Sequence, residues 1–144
     1  GDVFGSIRCD CGDQMRLALQ QIANSDSGVL VYMRQEGRGI GLHNKLKAYA
    51  LQDEELLDTV DANVELGFQV DLRHFGLGAQ ILADLGVVKF NLLTNNPKKV
   101  VGLESFGLKL EKVVPIITDV NTENKKYLAA KSSRLGHKLD PLFK

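Results

Sequence analysis

Cys9 and Cys11, separated by a single residue, are both of the cysteines in this chain. A disulfide at that spacing would be badly strained, because the two side chains do not normally reach the required geometry. Two thiolates so placed can instead chelate one soft metal ion, zinc being the commonest. Two ligands are too few for a catalytic zinc, which takes three protein ligands and an open position. A pair of inert reduced thiols accounts equally well for the pattern. A second chemical stretch is Arg34-Gln35-Glu36-Gly37-Arg38-Gly39-Ile40-Gly41, which packs three glycines and two arginines into one crossing. Glycine lets backbone approach a ligand closely, and arginine offers a planar fork of donors to phosphate or carboxylate. The alternative is a glycine-rich turn whose arginines face water. Asp71 and Arg73 form a third candidate, either a surface salt bridge worth little or a carboxylate beside a guanidinium in a pocket. The fourth is Thr94-Asn95-Asn96-Pro97-Lys98-Lys99, with an asparagine cap and proline at the first helical position. Lys98 and Lys99 there oppose the helix macrodipole. A bound phosphate would neutralise both, although solvated lysines fit as well.

The elements that must position these residues follow from periodicity. Gly28-Val29-Leu30-Val31-Tyr32-Met33 reads as a buried strand leading into the glycine-rich loop, and residues 42–51 as a helix leaving it. Leu42, Leu46, Tyr49 and Ala50 share a face of that helix, so Tyr49 is either core or a ring at a pocket edge. Upstream, 14–23 reads as a helix with Met15, Leu19 and Ile22 on one face. Asp58 is placed to cap a helix over 60–66, and an apolar-periodic helix carries Phe75, Ala79, Leu82 and Leu85. Residues 87–93 read as a second strand and 108–114 as a half-exposed third. A polar helix spans about 122–135, and a basic tail, loose after about residue 137, follows it. The expected architecture is α/β: a mixed sheet flanked by helices, single domain over 1–144, with strand-to-helix loops lining one pocket.

Composition narrows the classes. A chain of 144 residues, 44% hydrophobic and 25% charged, suits one globular domain. Eighteen basic residues balance eighteen acidic ones, so nothing global draws the chain to nucleic acid or to a membrane surface. Any anion must be held by a local cluster. No apolar run is long enough to span a bilayer and no signal-peptide pattern opens the chain, so a cytoplasmic location is the default. The opening Gly1-Asp2-Val3-Phe4-Gly5, without an initiator methionine, reads as part of a longer polypeptide.

Taken in order, these residues resemble the GTP cyclohydrolase II family of riboflavin biosynthesis. The resemblance is specific at Arg8-Cys9-Asp10-Cys11-Gly12, at Arg34 to Leu42, at Lys47-Ala48-Tyr49-Ala50-Leu51-Gln52-Asp53, at Asp71-Leu72-Arg73, and at Leu92 to Lys99. It implies hydrolysis of the guanine ring of GTP at C8 with release of formate, and loss of pyrophosphate to leave a 2,5-diamino-pyrimidinone ribosylamine 5′-phosphate. Cys9 and Cys11 match two of three zinc ligands; zinc makes water nucleophilic enough near neutral pH to attack C8. Asp71 matches the proton acceptor and Arg73 a nucleophile toward the α-phosphate, a transition-state clamp being the conventional alternative. Tyr49 matches a ring near the substrate. Gln14, Glu36, Gly37, Arg38, Thr59, Thr94 and Lys99 fall on GTP-binding positions, with Glu36 suited to the guanine N1–H and 2-amino group, and Arg38 and Lys99 to phosphates. Magnesium is implied too, held through the pyrophosphate oxygens rather than by a protein cage. A homodimer is usual in the family, some relatives carry a dihydroxybutanone-phosphate synthase domain upstream, and a plant source would imply a plastid. The family's third zinc ligand is a cysteine just upstream of the position matching Gly1. His43, His74 and His137 could replace a ligand, but none sits in the matching place. Glu54-Glu55-Leu56-Leu57-Asp58 is one residue longer than the usual spacing. A non-catalytic guanine-nucleotide-binding module is the competing reading.

Overall fold

The computed structural model describes residues 1–55 and 57–139. Five α-helices, three single 3-10 turns and two strands make up the regular structure among them. The core is built where α4 (Phe75–Asp84) lies against β1 (Lys89–Leu93) and β2 (Lys109–Val114). Ala79, Leu103 and Leu108 are its buried centre, with Leu82, Val87, Phe90, Leu92, Phe106 and Leu110 packed around them. The two strands run parallel, Lys89 opposite Lys109 and Leu93 opposite Val114, with a register shift between Phe90 and Asn91. Parallel strands need a long crossover, and here it consists of two 3-10 turns, Pro97–Val100 and Leu103–Phe106, in place of a helix. The sheet is therefore two-stranded and parallel rather than mixed.

The expected strand at Gly28–Met33 does not form. Val29, Leu30 and Tyr32 lie exposed in an irregular segment. Its β-branched pattern is real, but a strand exists only when its backbone N–H and C=O groups find a partner strand, and no described segment pairs with it. The helix expected to follow Asn96 shrinks to one 3-10 turn, although the predicted cap is there: the Asn96 side chain accepts from Lys98 N at 3.0 Å. The turn ends at Val101, whose backbone is extended (φ −71°, ψ 128°), and Gly102 at φ 78° then opens the next turn.

The other helices fall close to their predicted places. α1 (Cys11–Ala23) begins three residues earlier than expected and buries Gly12 and Ala18, while Leu19 of the predicted apolar face is exposed. α2 (Gly41–Glu54) follows the glycine-rich loop. α3 (Thr59–Glu65) is capped by the Asp58 carboxylate, which accepts from Val60 N at 2.7 Å and Asp61 N at 3.0 Å. The same Asp58, with Asp61, is held by Arg134 of α5 (Lys125–Leu135). Leu128 of α5 is fully buried. The chain after α5 is packed through Leu139, which is 1% exposed, and Lys138 N donates to Asn95 O at 3.1 Å. The expectation of a loose tail thus does not hold for 137–139, and for 140–144 it lies outside the described residues, as does Leu56 of the longer spacing before α3. No helix among the described residues is long and apolar enough to cross a membrane.

Candidate active site

Cys9 ends the segment that enters α1, and Cys11 is the first residue of that helix. Both are free thiols, and Cys9 is 1% exposed. Their sulfurs and an Asp2 carboxylate oxygen lie within 4.8 Å of one another. Hydrogen bonding from Cys11 brings the Cys9 thiol down to about 5 against the opposing effect of burial. The same bond, with burial, pushes Cys11 upward. Two sulfurs beside a carboxylate are a donor set of the charge and softness that suits zinc, so the residues present fit the metal that the sequence implies. Asp2 enters this group from the structure; no spacing rule in the sequence pointed to it.

Lys45 of α2 reaches into the same place. Its ammonium lies 3.6 Å from Cys9 Sγ and 2.6 Å from Glu36 Oε1. Burial opposes the charge of Lys45, but the Glu36 hydrogen bond and the Cys9 thiolate more than offset it and raise the group. Burial likewise opposes ionisation of Glu36, yet the hydrogen bond and charge of Lys45 hold its carboxyl below the ordinary carboxylate range. The Tyr49 ring lies one turn along α2 under Arg8, whose guanidinium carbon is 4.4 Å from the ring centre. Arg8 also bonds Asp53 at 2.7 Å. The Tyr49 hydroxyl is buried with no hydrogen-bond partner among the described residues, and burial pushes it up to about 12. Tyr49 is thus partly core and partly site, beside a hollow of about 200 Å³ that Phe4, Leu42, Lys45 and Leu46 also line.

The glycine-rich loop connects this group to the second one. Gly37, Arg38, Gly39 and Gly41 all have positive φ, and Arg38, at 60°, is the one non-glycine residue in that region among the described residues. A non-glycine residue held there stores strain of the kind that clusters at functional sites. The carbonyl of Arg38 accepts from Leu72 N at 2.9 Å. A Cβ on Gly39 would stand 3.0 Å from the Leu72 Cβ and 3.2 Å from its carbonyl carbon. The loop is therefore pressed directly onto Asp71-Leu72-Arg73.

There Arg73 grips Asp71 in a two-pronged pair, Nε to Oδ1 at 2.8 Å and Nη2 to Oδ2 at 2.6 Å. Their side chains are 22% and 12% exposed, which removes the reading as a loose surface salt bridge. Burial opposes both charges, but the pair holds Asp71 low and Arg73 high. Lys99 is brought into the same field: burial and the charge of Arg73 lower it.

The remaining predicted residues are dispersed. Gln14 bonds the Asp10 carboxylate. Thr94 is buried, its hydroxyl accepting from Asn96 N at 3.1 Å. Thr59 opens onto a separate cavity of about 590 Å³ between α2, α3 and α5, shared with Arg8, Asp53 and Tyr127. The described residues thus form two charged groups joined by one loop rather than a single pocket lined by all the predicted residues. Sequence reasoning gave no role to Asp10, Lys45, Tyr127 or Lys131, since single polar residues on separate elements carry no spacing signal.

The cysteine–carboxylate cluster and the Asp71–Arg73 pair thus stand at the two ends of one strained loop. The sequence pattern of the family described as GTP cyclohydrolase II matches residues 1–115, and the chain belongs to that family. It is 60% identical over 139 residues to the riboflavin biosynthesis protein RibBA of Bacillus subtilis (strain 168), covering 96% of this chain and 35% of that protein. With RibBA of Chlorobium phaeovibrioides the identity is 60% over 95% of this chain and 33% of the relative. With RibBA of Endomicrobium trichonymphae it is 55% over 96% and 34%. The chain spans about a third of the length of these relatives.

Proposed function

We propose that this chain carries the GTP cyclohydrolase II reaction at the head of riboflavin biosynthesis. GTP is opened at C8 of its guanine ring with release of formate, and pyrophosphate leaves, giving a 2,5-diamino-pyrimidinone ribosylamine 5′-phosphate. One observation carries the reading: residues 36–41 touch both chemical groups. Glu36 meets Lys45 beside Cys9, and the Arg38 carbonyl meets Leu72 between Asp71 and Arg73. A nucleotide laid along that loop reaches the thiols at one end and the guanidinium at the other.

Cys9, Cys11 and either Asp2 or a cysteine preceding Gly1 are the residues to hold zinc. A zinc ion there supplies Lewis acidity that makes water nucleophilic near neutral pH. Glu36, kept ionised by Lys45, faces the guanine N1–H and 2-amino edge as acceptor. Arg38 and Lys99 bind phosphate oxygens, and magnesium enters with the pyrophosphate rather than in a protein cage. Gln14, Gly37, Thr59 and Thr94 complete the contacts with GTP, and Tyr49 lends its ring. Arg73 meets the α-phosphorus. In attack, an Arg73 nitrogen bonds phosphorus as the bond to pyrophosphate breaks, and Asp71 takes the arginine proton along the 2.6 Å bond. Water then releases the nucleotide from nitrogen. Exposed Phe4, Leu42 and Leu46, lying together, support pairing of two copies. A cytoplasmic location fits a GTP-consuming enzyme.

The test is product analysis. With zinc and magnesium, the full-length protein is expected to convert GTP to equimolar formate and pyrophosphate while leaving ATP untouched. GTP turnover to GDP or GMP with no formate would overturn the proposal.

A further inference from the structure

Asp10, the residue between the two cysteines, stands at the N-cap of α1, where an aspartate ordinarily accepts from the backbone of the first turn. Its side chain makes no such bond. The carboxylate is instead turned inward, 1% exposed, with one oxygen bonded to the Lys131 ammonium and the other to the Gln14 amide. Lys131 is itself 5% exposed, and no other ion pair among the described residues has both side chains so deeply buried. It belongs to α5, which lies beyond the residues matched by the family pattern. One turn before it, Tyr127 places its ring 4.6 Å from the Lys131 ammonium and its hydroxyl 4.0 Å from Cys11 Sγ.

We infer that Lys131 is a positioning residue for the metal group: through Asp10 it fixes the Cys9–Cys11 loop, making α5 part of the site's framework. The inference rests on the zinc reading above. Aspartate that capped its own helix would leave the loop between the cysteines free to turn; pulled inward by a cation from another element, it sets the direction of the residue on each side. Lys131 also balances the charge of Asp10, which would otherwise stand unpaired in a buried place beside the two sulfurs. Groups that orient metal ligands from behind in this way typically change metal affinity about 10- to 100-fold when removed.

Cobalt(II) titration of the full-length protein, read by the thiolate-to-cobalt absorption band, tests this without recourse to catalysis. The parent is expected to take up one cobalt per chain. Lys131→Met should bind it at least about tenfold more weakly, and Lys131→Arg, which keeps the cation, should bind it more tightly than Lys131→Met. Since Lys131→Met leaves a buried unpaired carboxylate and can fail to fold, the double variant Asp10→Asn with Lys131→Met is the companion. It removes both charges, and it too should bind cobalt weakly while unfolding as cooperatively as the parent. Parent-like affinity in the folded single or double variant overturns the inference alone. A parent that takes up no cobalt overturns the zinc reading, and with it this one.

Discussion

Arg73 spends two of its donors on Asp71, and that geometry makes one substitution especially informative. Arg73→Ala should lose pyrophosphate release altogether. Arg73→Lys keeps a cation but loses the planar fork, so as a mere clamp it should retain partial activity. As the attacking group it should lose at least about a hundredfold, the scale of a displaced catalytic group. Single turnover of GTP labelled at the α-phosphate, quenched and run under denaturing conditions, checks this: label should appear on the parent protein and not on Arg73→Lys. Normal turnover with no protein-bound label at any time would leave Arg73 a clamp. A second residue-scale expectation concerns His137. Burial first, then the charges of Lys131, Arg38 and Arg73, lower its ring to about 4 from the 6.5 of a free histidine. The folded protein therefore holds fewer protons than the unfolded chain between those values. The stability His137 contributes is complete above pH 6.5 and is lost as pH falls toward 4. Allowing for screening at a partly exposed ring, about 1–2 kcal/mol should go. Urea unfolding at pH 7.5 and 4.5 measures it, and His137→Asn should flatten that difference; an unchanged slope would refute the assignment.

At the scale of elements, the fit between the glycine-rich loop and Asp71-Leu72-Arg73 bears most weight. Gly39 combines a φ of 94° with a would-be Cβ 3.0 Å from Leu72. Gly39→Ala should cost about 1–3 kcal/mol in strain, and because the strain falls on Leu72, activity should fall more steeply than stability. Thermal unfolding beside kcat/KM checks this; full activity in a stable variant would contradict the docking. Elements with their own local signals were legible in the sequence: the Asp58 cap, the Asn96 cap and the alternating run of β2. The absence of a strand at Gly28–Met33 was not, because a periodic apolar run reports what a segment could pair with, not whether a partner is there. Nor was the 3-10 crossover after Pro97, which ends where Val101 turns extended, a change that the cap at its start does not signal.

For the whole molecule, the cysteines and the glycine-rich loop could be picked out by residue type and spacing, whereas Asp71 and Arg73 stood out only through the family resemblance. Asp2, Lys45 and Lys131 could not, since each is an ordinary charged residue made special only by burial beside a distant partner. Lys131 is 121 positions from Asp10. The account as a whole divides the work between two groups, the thiols at one end of residues 36–41 and the Asp71–Arg73 pair at the other. The most direct measurement follows formate and pyrophosphate separately, from the same reaction, in Cys9→Ser, Cys11→Ser and Arg73→Ala. The cysteine variants are expected to lose formate while pyrophosphate continues to appear, and Arg73→Ala to lose pyrophosphate. Cysteine variants that lose both products in parallel, or an Arg73→Ala variant that still releases pyrophosphate at the parent rate, would contradict the division.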